Sequence, residues 1–293
     1  MDEKPQMDNL FTNLSNGYYH FTATEKKVAD YVLSNKTGAQ YMSISELADE
    51  CGVAEATITR FCRRLDLPGY SAFKLALAKA VAEEQGGSAV APEDRMGEIT
   101  AQDSVTEMAR KLCGTETAAI TQSLSLLDPE AVTKATDLLW NAGRVLCIGH
   151  GGSMITAMEA AHLFSSVSTK FSVLQDIHMQ FSTVSLLEPG DVLLFFCYSG
   201  STRESVELMD LARSRGASVI LVTRFYRSPG ATMSDVVLQC GSNEGPLQLG
   251  SVSASVAQLF VIDVLYNEFV RRDPEGTGAK KEKIAEALAE RHL

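Results

Sequence analysis

The chain has 293 residues, 45% of them hydrophobic and 22% charged, and carries a net charge of −11. That balance excludes a disordered chain, and the length favours two domains over one. An evenly spread negative charge would argue against a nucleic-acid partner, so the distribution of charge decides more than its sum.

Residues 1–20 show no sustained period and predict a loose arm with one short helix near Leu10. Thr22-Ala-Thr-Glu25 has the S/T-x-x-E form of a capping box and opens a helix carrying Val28, Tyr31 and Val32 on one face. From Ile44 to Arg64 the spacing is more specific. Ile44, Leu47, Ala48 and Cys51 stripe one short helix, Gly52 supplies a turn, and Val53, Ile58, Phe61 and Leu65 stripe a second. A small residue at the fifth place and Gly at the ninth complete a helix-turn-helix. Arg60, Arg63, Arg64, Lys74 and Lys79 then stand against Asp66 alone, a local basic stripe in an acidic chain. Double-stranded DNA is the partner such a stripe suits, with Glu55, Thr57, Thr59, Arg60, Arg63, Arg64 and Lys74 as candidate contacts. Two packed helices with a solvated charged face is the plainer alternative. Gly69–Phe73 is expected to connect to a helix ending near Glu84.

The Gly, Ser and Pro of Gln85–Pro92 mark a linker, so the expected domains are 1–84, a linker over 85–100, a second domain over 101–275 and a helical tail over 276–293. Helices are expected around Val105–Leu127 and Pro129–Trp140, the latter opened by Asp128-Pro129, with Trp140 in the core. Strand candidates follow at 144–148, 171–174, 191–197, 218–223 and 235–240, separated by helical stretches. Near-continuous apolar strands between helices mean a parallel sheet covered on both faces. Gly276 to Gly278 is expected to break the chain before a last charged helix, Lys280–Arg291.

Two stretches carry the chemistry: Cys147-Ile-Gly-His-Gly-Gly-Ser153 and Cys197-Tyr-Ser-Gly-Ser-Thr-Arg-Glu204. Each follows an apolar run and leads into a helix, a joint whose amides and hydroxyls converge where the helix dipole favours an anion, above all a phosphate. Gly149 and Gly151 free the backbone and Ser153 offers a hydroxyl. In the second turn Ser199 and Thr202 donate, Gly200 and Ser201 bring backbone, Thr202 is placed to cap the following helix, and Glu204 or Glu244 would accept from sugar hydroxyls. Gly149-His-Gly151 opens like a dinucleotide fingerprint, but its third glycine would fall at Met154, so no nucleotide cofactor is expected. Asp176 and His178 stand just past a strand, where acid/base residues can sit, but a structural, hydrogen-bonded histidine is the preferred reading. No catalytic triad can be assembled, and the six scattered cysteines, without C-x-x-C or a histidine at ligand spacing, predict buried thiols rather than a metal site or disulfides. The longest apolar runs, such as Val192–Cys197, are too short to span a bilayer, and Met1–Pro5 does not resemble a secretion signal, so the cytoplasm is expected and no membrane partner.

These residues resemble the RpiR family of bacterial regulators, which join a helix-turn-helix to a sugar isomerase (SIS) domain. Thr24–Leu33, Ser45–Asp49, Ala54–Leu65 and Gly69–Lys74 carry the likeness in the first domain. Gly149–Ser153, Asp176–Gln180, Ser199–Glu204 and Ala257–Asp263 carry it in the second. The resemblance implies an α/β chain in which an all-α helix-turn-helix domain precedes a five-stranded parallel αβα sandwich of SIS type. It also implies a homodimer or homotetramer on an inverted-repeat operator, and a phosphosugar or related sugar effector contacted by Ser153, Ser199 and Thr202 with the backbone of Gly200 and Ser201. Many members carry Ser at the place of Cys197, Arg at Gln248 and Ser-Arg at Ala254-Ser255, which implies an effector that is less charged or more loosely bound in this chain. A phosphosugar isomerase or lyase using Glu204 or His178 as base is the alternative reading, and a metabolite-binding protein whose small domain serves assembly is a third.

Overall fold

The computed structural model describes residues 10–84, 99–242 and 251–289, which form two compact units divided at Gly114/Thr115. The expected linker falls largely on residues 85–98, outside the described residues, as do Glu244 and Gln248.

The first unit is built from helices α1 (Leu10–Gly17), α2 (Ala23–Ser34), α3 (Lys36–Ala39), α4 (Ile44–Cys51), α5 (Glu55–Arg64) and α6 (Tyr70–Glu84). Two capping boxes set its entry points. The Thr22 hydroxyl accepts from the Glu25 amide at 3.3 Å while the Thr22 amide donates back to the Glu25 carboxylate at 2.8 Å. Ser43 and Glu46 repeat the arrangement at α4. Gly52 ends α4 at φ +60°, the left-handed conformation that a side chain would strain. Leu14, Val28, Val32, Leu47, Ile58, Phe61, Phe73 and Leu77 are fully buried and meet in one core. Each contributes about 1.5–3 kcal/mol on burial. The expected connector at Gly69–Phe73 is instead the first turn of α6. It starts at Tyr70, whose hydroxyl lies within hydrogen-bonding distance of the carbonyls of Met42 (3.0 Å) and Ser43 (3.2 Å).

Helix α7 (Val105–Leu126) leads into the second unit, followed by α8 (Pro129–Asn141). Next in order come β1 (Val145–Gly149), α9 (Gly152–Ser165), β2 (Phe171–Val173), α10 (Ile177–Val184), β3 (Val192–Phe196), α11 (Arg203–Ser214), β4 (Ser218–Thr223), α12 (Pro229–Thr232), β5 (Val236–Gln239), α13 (Val252–Val270) and α14 (Pro274–Ala289). The five strands are parallel in the order β2-β1-β3-β4-β5. Alternation sends Val145, Cys147, Leu194 and Phe196 to a core shared with α8, α9 and α13. Leu146, Ile148, Leu193 and Phe195 face the opposite way, toward α10 and α11.

Three local expectations are corrected. Helix α14 begins at Pro274 and runs through Gly276 and Gly278, because Asp273 caps it: its carboxylate accepts from the Gly276 amide at 2.9 Å, in space a Cβ on Gly276 would occupy. Trp140 lies at the margin of the core, 36% exposed, with its ring 5.0 Å from that of Phe269. Cys113 is exposed, whereas the other five cysteines are buried, and all six are free thiols.

Candidate functional site

In the helical unit, α5 buries Ile58, Phe61 and Cys62 and turns Arg60 and Arg63 outward. Neither arginine has an ion-pair partner among the described residues. The five other expected contacts are placed differently. Thr57 is buried, 7% exposed, and its hydroxyl accepts from the Arg60 guanidinium at 3.2 Å; it lies beneath the outward face and steers Arg60 rather than pointing outward itself. Arg64 donates to Glu25 at 2.6 Å and ties α5 to α2. Glu55 is exposed but its carboxylate accepts from the Ser45 hydroxyl on α4. Lys74 is half-buried, and desolvation, opposed by the Glu46 charge, brings its ammonium down to about 8. Thr59 is half-buried, its hydroxyl turned back to the Glu55 carbonyl at 3.2 Å.

In the sheet unit the two glycine- and serine-bearing turns leave neighbouring strands at the same level, since Gly149 pairs with Phe196 across β1 and β3. Strand order reverses between these two strands, and the crevice beyond the strand ends at such a reversal is where open α/β sheets bind ligands. Gly149 must be glycine here: a Cβ would stand 2.3 Å from the Ser153 carbonyl oxygen. Gly200 is held at φ +59°, and a Cβ there would strike the Ser228 hydroxyl at 2.0 Å. Its carbonyl accepts from the Gly230 amide at 2.8 Å, which fixes the second turn to α12.

The hydroxyls are partly committed. Ser153 accepts from Gln258 Nε2 at 3.3 Å, and Gln258, 2% exposed on α13, in turn accepts from Thr156 at 2.7 Å. Ser199 is half-buried and accepts from the Ser201 amide at 3.3 Å. Ser201, Thr202 and Glu204 are exposed. Thr202 occupies the N-cap position of α11 but makes no side-chain cap, contrary to expectation; instead the Cys197 thiol donates to its hydroxyl at 3.7 Å. Side chains of Thr22, Ser43, Asp128, Asp176 and Ser251 cap α2, α4, α8, α10 and α13. Helices α5, α9 and α11 start without a side-chain cap, although in α5 the Thr57 amide donates to the Ala54 carbonyl and in α9 the Ser153 and Met154 amides donate to the carbonyls of His150 and Gly151.

Asp176 is the cap of α10, accepting from the Met179 amide at 2.9 Å, which accounts for it without acid/base chemistry. His178 is exposed beside it. Sequence reasoning passed over His150, Gln180, Ser205 and Gln258, which knit the turns to their helices. Gln180 and Gln258 are amides on buried helix faces, and that misplaced polarity was the signal available. Among the described residues no group of His, Cys, Asp and Glu could hold a metal ion, and no helix is long and apolar enough to cross a membrane.

Residues 8–84 match the helix-turn-helix domain of the rpiR family and residues 138–268 match the SIS domain. An uncharacterized HTH-type transcriptional regulator of Caldanaerobacter subterraneus is 34% identical over 86% of this chain and 89% of its own. The HTH-type transcriptional regulator HexR of Pseudomonas aeruginosa is 32% identical over 88% of each chain. Among solved structures, the Vibrio vulnificus NanR protein complexed with ManNAc-6P is similar with a TM-score of 0.84 and 26% identity, covering 97% of this chain and 100% of that one.

Proposed function

This chain belongs to the RpiR family of helix-turn-helix, SIS-domain transcriptional regulators, and from that premise we propose that a phosphorylated sugar held in its sheet unit sets its affinity for operator DNA. The observation that carries the reading is the pairing of Gly149 with Phe196, which brings two uncapped helix N-termini and the Ser153, Ser199 and Thr202 hydroxyls to adjacent strand ends. One anion can be met there by amides and hydroxyls from both turns, with Gly151, Gly200 and Ser201 supplying backbone. Glu204, exposed at the same end, would accept from a sugar hydroxyl. NanR, similar over its whole length, was solved with ManNAc-6P, which makes that sugar phosphate the first compound to try.

Arg60 and Arg63 are the DNA contacts this reading rests on, with Thr57 orienting Arg60 and the uncapped start of α5 facing phosphate. We read the assembly as a homodimer or homotetramer in the cytoplasm on an inverted repeat, because recognition helices related by a two-fold match half-sites about one DNA turn apart. Turnover is not part of the proposal. Glu204 and His178, the bases an isomerase would draw on, are both exposed, and neither is held against the two turns by a hydrogen bond.

The test is calorimetric titration of the full chain with ManNAc-6P and a panel of hexose and pentose phosphates, repeated for Ser199→Ala with Thr202→Val. Saturable binding weakened by about tenfold or more in the double variant supports the reading. Equal binding by wild type and variant would move the site elsewhere, and consumption of any of these compounds would favour the isomerase.

A further inference from the structure

His150, the residue between the two glycines of the first turn, has both ring nitrogens occupied by different helices. Nε2 lies 2.8 Å from Gln180 Oε1 on α10, and Nδ1 lies 3.2 Å from the Ser205 hydroxyl on α11. Both partners are buried, Gln180 at 0% and Ser205 at 1% exposed. The roles follow from the neighbours. Gln180 Nε2 donates to the Leu174 carbonyl at 2.8 Å; a carbonyl can only accept, so the amide oxygen is the atom turned to the ring. That oxygen in turn requires the hydrogen on Nε2, and the Ser205 hydroxyl, which can donate or accept, satisfies Nδ1. The ring also stands edge-on to Phe195 of β3, with centroids 5.7 Å apart. Ser205 is the third residue of α11, one turn from Thr202.

We infer that His150 is a positioning residue that sets the gap between the two ligand turns, holding the first turn against the start of the helix that follows the second. The inference deepens the proposed sugar-phosphate site and rests on it for its binding consequence. An anion that must touch Ser153 on one side and Ser199 and Thr202 on the other needs that gap fixed before it arrives, since closure on binding would be subtracted from affinity. The imidazole reaches α10 and α11 at once because its two nitrogens point to opposite sides of one rigid ring. The glycines flanking it leave the backbone free to carry the ring inward, and Gly151 does so at φ +56°.

The experiment uses the full chain. Hydrogen–deuterium exchange is measured without ligand over residues 149–154 and 201–206 for wild type, His150→Phe, Ser205→Ala and His150→Gln. His150→Phe keeps a ring on Phe195 and removes both hydrogen bonds. Ser205→Ala removes one hydroxyl from a helix that tolerates alanine, and so serves if the first variant fails to fold. The expected result is faster exchange in both segments together, by about tenfold for His150→Phe and less for Ser205→Ala. His150→Gln, which retains a donor and an acceptor, should recover part of the protection. Exchange unchanged in both segments, or raised in one alone, overturns the inference whether or not any sugar binds. Titration with ManNAc-6P then separates the two claims. Loss of affinity in the variants that parallels exchange supports both, while a wild type that binds no sugar phosphate refutes the site and leaves the exchange result to decide the positioning role.

Discussion

Gly200 shows how much one position can require. It combines a left-handed backbone with a neighbour too close for any Cβ, and the same turn carries Ser199 and Thr202, the hydroxyls proposed to meet the ligand. Gly200→Ala is therefore expected to destabilise the sheet unit by about 1–2 kcal/mol and to abolish sugar-phosphate binding, checked by urea denaturation and calorimetry. Ser199 and Thr202 stand out in the sequence as candidates because hydroxyls between an apolar strand and a helix suit an anion. The Gly200–Ser228 contact was not, since it joins residues from two different turns. Glu25 carries a second prediction. Burial alone would raise its carboxyl, but hydrogen bonds from the Thr22 amide and hydroxyl and from Arg64 hold it below the ordinary carboxylate range. A lowered folded pKa contributes stability at neutral pH that is lost as pH falls through the folded value. Arg64→Ala should cost about 1–2 kcal/mol at pH 7, after discount for the 43% exposure of Arg64, and less as the medium is acidified below that range. A loss of equal size at pH 7 and under acid would contradict it.

Among the helices, α5 divides its work between an outward face and a buried one. Arg63→Ala is expected to weaken binding to every DNA sequence alike and to lower the salt slope by about 1. Thr57→Val should leave the melting temperature nearly unchanged yet reduce operator affinity, because it keeps the buried volume while releasing Arg60. Fluorescence anisotropy on labelled duplexes at two salt concentrations reads both. Lys74, desolvated to about 8 from its ordinary 10.5, behaves differently. The unfolded chain binds the extra proton between these values, so this group's contribution to stability rises as pH increases through that window. Periodicity fixed the helix-turn-helix correctly because spacing alone decides which residues share a face. It could not tell Thr57 and Lys74 from true outward residues, since their burial depends on where α4 and α6 pack. The start of α14 differs from expectation for a related reason: Gly276 looked like a breaker, but it makes room for the Asp273 cap.

The chain joins a helix-turn-helix unit to a five-stranded parallel sheet of SIS type, the pairing found in RpiR-family regulators. The order of apolar runs and turns made the parallel sheet legible, because alternation of strands and helices leaves few other topologies. The contacts of His150 with Gln180 and Ser205, and of Gln258 with Ser153, were hidden, since they span 30, 55 and 105 residues of sequence. A ligand alters DNA binding only by favouring one arrangement of the protein over another, and couplings of this kind change affinity by about 5–150-fold. The decisive measurement is the affinity of the full chain for the promoter DNA beside its own gene, compared with random duplex, with and without saturating ManNAc-6P or the best binder from the sugar-phosphate panel. We expect preference for the promoter, steep weakening with salt and a ligand-induced change within that range. Equal affinity for both duplexes, unmoved by any sugar phosphate that the chain binds, would contradict the account.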